Sequence, residues 1–334
     1  MLKSRKTSDI VNWININDSW KKKSHGNHTF VDLFSGAGGI SKGFEMAGMK
    51  GIYGLDHYSS AIATYGRNFN HPIYNGDITK KDVKRNFVDL VRKSLNGKKL
   101  NVIAGGFPCQ GFSMSGKRVV ADPRNSLYLD MLEIVVNLQP DFVVLENVVG
   151  LRSMLMGGVE QRIIKDYNKV GFDINVTILH AADYGVPQKR KRVIFIANKI
   201  GLINYHPSPL LKVDKYKTIK MAIEDLMELD DDPGFNHVKT KHSFDMVKKI
   251  QNVPEGGNLY ENYSDSWKKS PWNEPSCTIK ENHGGVNLHP IKSRAMTPRE
   301  IARIQGFPDD FIFEGSKSKQ LVQIGNAVPP LMAK

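Results

Sequence analysis

Thr29-Phe30-Val31-Asp32-Leu33-Phe34-Ser35-Gly36-Ala37-Gly38-Gly39-Ile40 runs from an apolar strand through a glycine turn into the start of a helix. Residues 29–34 are the strand candidate, and Ile40 to Ala47 can be helical. Glycines in such a turn let the backbone approach a ligand closely, and the helix that follows offers its free N–H groups. A second strand, Gly51 to Leu55, ends at Asp56, 20 residues after Gly36. A carboxylate there can accept hydrogen bonds from ribose hydroxyls. The combination serves dinucleotides and S-adenosylmethionine alike, so it decides a fold rather than a ligand. Ser41 stands where the third glycine of G-x-G-x-x-G would be, which counts against a nicotinamide dehydrogenase.

The same alternation continues outward. Ile73-Tyr74 precedes Asp77, and Leu100 to Ala104 reads as a short buried strand stopped by Gly105-Gly106-Phe107-Pro108-Cys109-Gln110-Gly111-Phe112-Ser113. Leu127, Met131, Leu132, Val135 and Leu138 recur at helical spacing and lead into another strand, Asp141 to Leu145, followed by Glu146-Asn147. Val193 to Ala197 is a further strand. Strand, turn and helix repeated in this way predict an α/β fold, a doubly wound sheet with helices on both faces. Ligands of such sheets bind at the carboxyl ends of the strands, where Cys109, Glu146 and the glycine turn all fall. From the turn alone Cys109 is as well read as a core thiol as a nucleophile. Glu146 could cap the next helix, and Arg190 and Arg192 could form a solvated basic turn.

Composition narrows the function classes. The chain has 334 residues, a formal net charge of +13 and two cysteines, too few for a disulfide framework or a Cys-rich zinc site. No apolar run approaches the ~20 residues of a membrane span, and the first residues lack a signal-peptide core, so a cytoplasmic location is expected, with no membrane partner and no metal. The charge favours a polyanionic partner, with nucleic acid as the default. Residues 200–293 carry 12 lysines and no arginine against 13 acids, a net of −1, so the remaining chain carries +14. That segment shows little αβ alternation and reads as a separate, loop-rich small domain. Within the following stretch Thr297-Pro298-Arg299-Glu300 is a capping box that predicts a helix through Ile304. Cys277 has no adjacent base or basic cluster and is taken as structural.

Five motifs now stand in order: Asp32-Leu33-Phe34-Ser35-Gly36-Ala37-Gly38-Gly39, Gly106-Phe107-Pro108-Cys109-Gln110, Glu146-Asn147-Val148, Gln188-Lys189-Arg190-Lys191-Arg192, and Gln323-Ile324-Gly325-Asn326-Ala327-Val328-Pro329-Pro330. Together they resemble the DNA (cytosine-5)-methyltransferase family of bacterial restriction-modification systems, over nearly the whole chain. The resemblance implies a Rossmann-like methyltransferase fold with a smaller target-recognition domain, S-adenosylmethionine as methyl donor and cytosine in double-stranded DNA as acceptor. It divides the chain into an N-terminal extension at 1–28, a catalytic and cofactor-binding domain at 29–198, a target-recognition domain at 199–313 and a return segment at 314–334. It implies that the Cys109 thiolate adds to C6 of an extruded cytosine, that Glu146 serves N3, and that Arg190 and Arg192 hold the nucleotide's O2 and phosphate. It implies a cofactor pocket of Phe34, Gly36, Ala37, Gly39, Asp56, Asp77, Ile78, Pro108, Leu127 and Asn326, with His57 at a position where relatives often carry a larger apolar or aromatic residue.

DNA contacts are expected from Gln110, Ser113, Ser115, Lys117 and Arg118 in the loop beyond the cysteine, and from Thr278. Because the recognition segment lacks arginine, the usual bidentate reader of guanine, Lys268, Lys269, Lys280, Asn282 and His283 are the further candidates. A monomer is expected, with a cognate endonuclease as a possible partner on the same site. Two alternatives accompany this reading: a transfer-RNA cytosine methyltransferase of the same fold, and a non-catalytic DNA-binding regulator.

Overall fold

The computed structural model describes residues 28–108, 127–261, 266–281 and 286–334. Residues 1–27 of the expected N-terminal extension lie outside them, as do Cys109, Gln110, Ser113, Ser115, Lys117, Arg118, Asn282 and His283. The chain forms two compact units.

The first unit holds a seven-stranded sheet. Its strands are β1 (Thr29–Leu33), β2 (Lys50–Asp56), β3 (Ile73–Asn75), β4 (Val102–Gly105), β5 (Phe142–Val148), β6 (Asp173–His180) and β7 (Lys191–Asn198), in the order β3-β2-β1-β4-β5-β7-β6. Strands β1 to β5 pair in parallel, whereas β7 runs antiparallel to β5. Every residue of β1 is buried, as expected for a strand covered on both faces. The connecting helices are α1 (Gly39–Met46), α2 (Ser59–Asn68), α3 (Lys81–Leu95), α4 (Leu127–Leu138) and α5 (Gly158–Lys169). The stripe expected on α4 is its buried face: Leu127, Met131, Leu132 and Val135 all enter the main core. Strand order reverses between β1 and β4, so the crevice at their carboxyl ends is the ligand position of this topology. Strand β4 starts two residues later than the apolar run suggests. Asn101 instead uses its side chain, accepting from the Thr29 N–H at 2.9 Å and donating to Asp141 at 3.1 Å.

The second unit contains residues 180–190 and 209–333, so the boundaries by contact differ from those expected at 198/199 and 313/314. Residues 314–333 group with 209–313, because α8 packs on α9. Its helices are short: α6 (Ile219–Ile223), α7 (Phe244–Gln251), α8 (Pro298–Ile304), α9 (Lys317–Asn326) and α10 (Pro330–Ala333). The predicted capping box is present, with Thr297 and Glu300 bonding reciprocally to each other's backbone. Every residue of α8 is buried, including two arginines. Arg299 donates to the carbonyls of Phe235, Pro308 and Phe311 at 2.8–3.1 Å, and Arg303 donates to Asp309, Asp225 and the Ala222 carbonyl. Charged side chains thus tie irregular backbone together where loops supply little regular hydrogen bonding, and each charge is compensated.

Candidate active site

The glycine turn is shaped by its neighbours. Phe34 and Gly36 both hold left-handed backbone, at φ +55° and +53°, and Gly38 stands at +97°. A Cβ at Gly36 would meet no atom within 4 Å, whereas one at Gly38 would lie 2.3 Å from the Phe69 ring. Gly38 is therefore required for packing, and Gly36 faces open space. Asp56, at the end of β2, accepts the Gly36 N–H at 2.8 Å and, through its other oxygen, the N–H groups of His57 and Tyr58 at 2.7 and 2.8 Å. The acid expected to meet a ribose thus also fixes the turn beside it. His57 is exposed, Asp77 is half-buried and Ile78 is buried. Hydrogen bonds from the Thr79 N–H and hydroxyl hold the Asp77 carboxyl below its ordinary range. Ala37 and Leu127 are buried, Gly39 is buried at the first turn of α1, and Pro108 is half-buried. Asn326 ends α9 in the second unit and is exposed.

The carboxyl ends of β4, β5 and β7 bring a second group of residues together. Register places Gly105 beside Leu145, so Gly106 adjoins Glu146, and a Cβ on Gly106 would stand 2.9 Å from Glu146 Oε2. Arg192 Nε lies 2.9 Å from Glu146 Oε1, with both side chains about nine-tenths buried. Burial lowers the Arg192 guanidinium pKa, and the adjacent carboxylate opposes that shift. Asn147, buried at the end of β5, donates to the Phe107 carbonyl at 3.0 Å and accepts the Val148 N–H at 2.8 Å. It anchors the chain two residues before Cys109. Asn147 and Gly106 entered the sequence reading only as motif letters. The pattern of Gly-Gly-Phe-Pro beside Glu-Asn was the available signal, but the bond between them depends on tertiary pairing.

Two expected site residues have other engagements. Arg190 is buried in the second unit and donates from its two terminal nitrogens to the carbonyls of Ile279 and Gly325, at 2.9 and 3.2 Å. Its guanidinium braces the backbone next to Thr278, whose hydroxyl donates to the Lys189 carbonyl at 3.0 Å. Lys269, expected on DNA, is also buried and donates to the Ile250 carbonyl at 3.0 Å, with burial lowering its pKa. Lys280 is exposed, while Lys268 and Thr278 are half-buried. Cys277, half-buried, accepts from Asn287 at 3.4 Å, consistent with a structural place. Among the described residues no group of acids, histidines and cysteines is arranged to hold a metal, and no helix is long and apolar enough to cross a membrane.

The chain was compared with known proteins. It is 36% identical to the Type II methyltransferase M1.HphI of Haemophilus parahaemolyticus, covering 92% of this chain and 84% of that one. It is 32% identical to the Type II methyltransferase M.DdeI of Desulfomicrobium norvegicum, covering 91% and 86%. A solved structure described as an Escherichia coli prophage-encoded DNA modification methyltransferase superposes with a TM-score of 0.74 at 26% identity, covering 92% of this chain and 96% of that one. Residues 28–334 match the profile of the C-5 cytosine-specific DNA methylases. An ordered set of five motifs, a Rossmann-like sheet and a Glu146–Arg192 pair beside Gly106 agree with that match, and the chain belongs to the C-5 cytosine-specific DNA methylase family.

Proposed function

We propose that this chain is a sequence-specific DNA methyltransferase in which Cys109 adds to C6 of a cytosine extruded from duplex DNA, while Glu146 and Arg192 stabilise the activated ring. The observation that carries the reading is the Glu146–Arg192 pair held over Gly106, three residues before Cys109. C5 of cytosine is a poor nucleophile, and addition of a thiolate at C6 moves electron density onto the ring. A carboxyl group at N3 supplies the hydrogen bond or proton that this density requires. Arg192 fixes the carboxylate and presents a positive charge to the developing anion. Once C5 carries the methyl group, loss of its proton to a water molecule and departure of the thiolate from C6 restore the aromatic ring. Asn147 holds the Phe107 carbonyl, which keeps the chain leading to Cys109 in register with Glu146.

The residues at the glycine turn suit S-adenosylmethionine. Gly36 leaves room at the turn, and Asp56 is an acceptor already fixed by three backbone N–H groups. Phe34, Gly36, Ala37 and Gly39 would border the methionine end, with Asp56 at the ribose and Asp77, Ile78 and His57 around the adenine. Pro108, Leu127 and Asn326 complete the proposed set. When bound, S-adenosylmethionine supplies an electrophilic methyl group on its sulfonium.

Lys268, Lys280 and Thr278 remain the proposed DNA contacts among the described residues, and Asn282, His283, Gln110, Ser113, Ser115, Lys117 and Arg118 are proposed beyond them. The DNA methylase profile and the DNA modification methyltransferase among the solved structures support DNA over transfer RNA, and a companion endonuclease on the same site is proposed with it. The test is methyl incorporation from labelled S-adenosylmethionine into duplex DNA and into transfer RNA, with the product base mapped. The proposal expects 5-methylcytosine in a fixed DNA sequence. Methylation of transfer RNA alone would overturn it.

A further inference from the structure

Beneath the glycine turn lies a chain of buried polar groups that the proposed chemistry does not use. Asp32, fully buried near the carboxyl end of β1, accepts the Ser41 N–H at 3.2 Å and the Ser41 hydroxyl at 2.7 Å on the same oxygen. Ser41 Oγ is 2.7 Å from the Tyr65 hydroxyl, which is 2.7 Å from His71 Nε2. His71 Nδ1 in turn lies 3.3 Å from Glu45, a partly exposed carboxylate on α1. Four elements are thus linked: β1 through Asp32, α1 through Ser41 and Glu45, α2 through Tyr65, and the segment before β3 through His71.

The packing around this chain leaves little room for adjustment. A Cβ on Gly38 would lie 3.1 Å from the Tyr65 ring, one on Gly54 would lie 2.7 Å from it, and one on Gly51 would lie 2.2 Å from the His71 ring. Glycine at these three positions lets the turn and β2 close onto the two rings. Ser41 occupies the place of the third fingerprint glycine, where it takes the one hydroxyl that can join Asp32 to Tyr65. The hydrogen bonds can run in only two senses, because each hydroxyl donates once. Either an ionised Asp32 receives from Ser41, Ser41 from Tyr65 and Tyr65 from the His71 Nε2–H, or a protonated Asp32 donates to Ser41, Ser41 to Tyr65 and Tyr65 to His71 Nε2. Both senses need every member: loss of the Ser41 hydroxyl leaves the buried Asp32 carboxyl under-bonded, and loss of the Tyr65 hydroxyl breaks the link from Ser41 to His71. Burial already pushes the Asp32 carboxyl up to about 7 despite the two Ser41 bonds, with Asp56 nearby adding to the rise.

We propose that Tyr65 and His71 are positioning residues for the methyl donor: through Ser41 and Asp32 they hold the first turn of α1, and with it Gly36 to Gly39, in the form that binds S-adenosylmethionine. This rests on the reading of the Gly36 turn and Asp56 as the donor site. Neither residue touches the reacting atoms, so their loss weakens donor binding and leaves chemistry on the bound donor and grip on DNA intact.

The test is to measure S-adenosylmethionine affinity, duplex DNA affinity, kcat at saturating donor, and Tm for the wild type, Tyr65→Phe, Ser41→Ala, His71→Gln and Asp56→Ala. Tyr65→Phe and Ser41→Ala each remove a hydroxyl that makes two buried hydrogen bonds, and are expected to bind the donor about fivefold more weakly, with DNA affinity and kcat within about twofold. Gln can place a donor where Nε2 stood, so His71→Gln is expected to fall between them and the wild type. Ser41→Ala carries the test if Tyr65→Phe does not fold. Donor affinity within about twofold of wild type in Tyr65→Phe and Ser41→Ala, with Asp56→Ala weakened at least tenfold, overturns the positioning role alone. If Asp56→Ala also binds the donor normally, the donor-site reading fails with it.

Discussion

Arg192 and Glu146 meet as diagonal neighbours across an antiparallel pair: Arg192 stands opposite Val148, two residues along from Glu146, and its Nε reaches the carboxylate at 2.9 Å. Such diagonal side chains share a face of the sheet, so long polar groups reach one another. The antiparallel course of β7 creates this contact, since it brings the start of β7 to the end of β5, where ligands of the sheet bind. Arg192 has its place at Glu146 because of strand direction, whereas Arg190, two residues earlier, belongs to the second unit and is held by backbone carbonyls within it.

Replacing Glu146 with Gln removes the acid while keeping the shape. We expect kcat for methyl transfer to fall about 100-fold or more, with DNA affinity nearly unchanged. Arg192→Lys keeps the charge but not the planar Nε donor, and a smaller loss of about tenfold is expected. Steady-state methyl incorporation with duplex DNA checks both. Equal rates for Glu146→Gln and wild type would remove Glu146 from the chemistry.

Gly106→Ala offers a sharper geometric test. Its Cβ would lie 2.9 Å from Glu146 Oε2, and the atom that must yield is the end of a side chain rather than backbone. The fold is therefore expected to persist, with Tm within a few degrees of wild type, while the displaced carboxylate lowers kcat on the order of 10- to 100-fold. Thermal denaturation beside the methyl-transfer rate separates the two effects.

Acid stability should follow a buried cluster in the second unit. Glu300, fully buried, bonds to both terminal nitrogens of Arg294 at 2.7 and 2.8 Å, and these bonds hold its pKa down to about 2 against the opposing effect of burial. Burial pushes His237 and His289 down to about 4, so both are neutral in the folded protein at pH 7. The His289 Nδ1 accepts two backbone N–H groups, from Ile291 and Lys292, at 3.1 Å, which leaves its single proton on Nε2 toward Glu300. An unfolded histidine takes up its proton near pH 6.5, while the folded ones resist until about pH 4. The unfolded state therefore binds more protons in this window, and stability falls as pH drops from 6.5 towards 4. The Glu300 contribution is present above its unfolded value and is lost as pH falls from about 4.5 towards 2. Denaturation midpoints measured from pH 7.5 to 4 should decline from about pH 6.5 downward, and His237→Gln should flatten that decline. A flat profile in the wild type would contradict the assignment.

How much of this was legible in the sequence depends on how local each signal is. The β1 strand, the glycine turn and the box between Thr297 and Glu300 are set by residues within a few positions of one another, and all three form as read. Lys268 and Lys269 show the limit. They are adjacent and chemically identical, yet Lys269 turns inward to the Ile250 carbonyl while Lys268 stays half-exposed. Their fates are set by backbone pairing of Leu259 with Trp267 and of Lys269 with Gly257, contacts the charge pattern cannot encode. Arg190 shows the same limit: a basic motif predicts a cation, but only the fold brings the carbonyls of Ile279 and Gly325 to it. The Asp32 to His71 chain was invisible because Ser41, Tyr65 and His71 each have an ordinary place in a helix or loop, and only the fold aligns them.

The central claim is that Cys109 forms a covalent bond to the target cytosine before methyl transfer. A duplex in which the target cytosine carries fluorine at C5 tests it, because the fluorine cannot leave as the C5 proton does and the adduct persists. With S-adenosylmethionine present, the account predicts a protein–DNA species stable to denaturing electrophoresis, located at Cys109 by peptide mass spectrometry and absent in Cys109→Ala, which also makes no 5-methylcytosine in normal DNA. Normal 5-methylcytosine formation by Cys109→Ala, with no trapped species in the wild type, would contradict it.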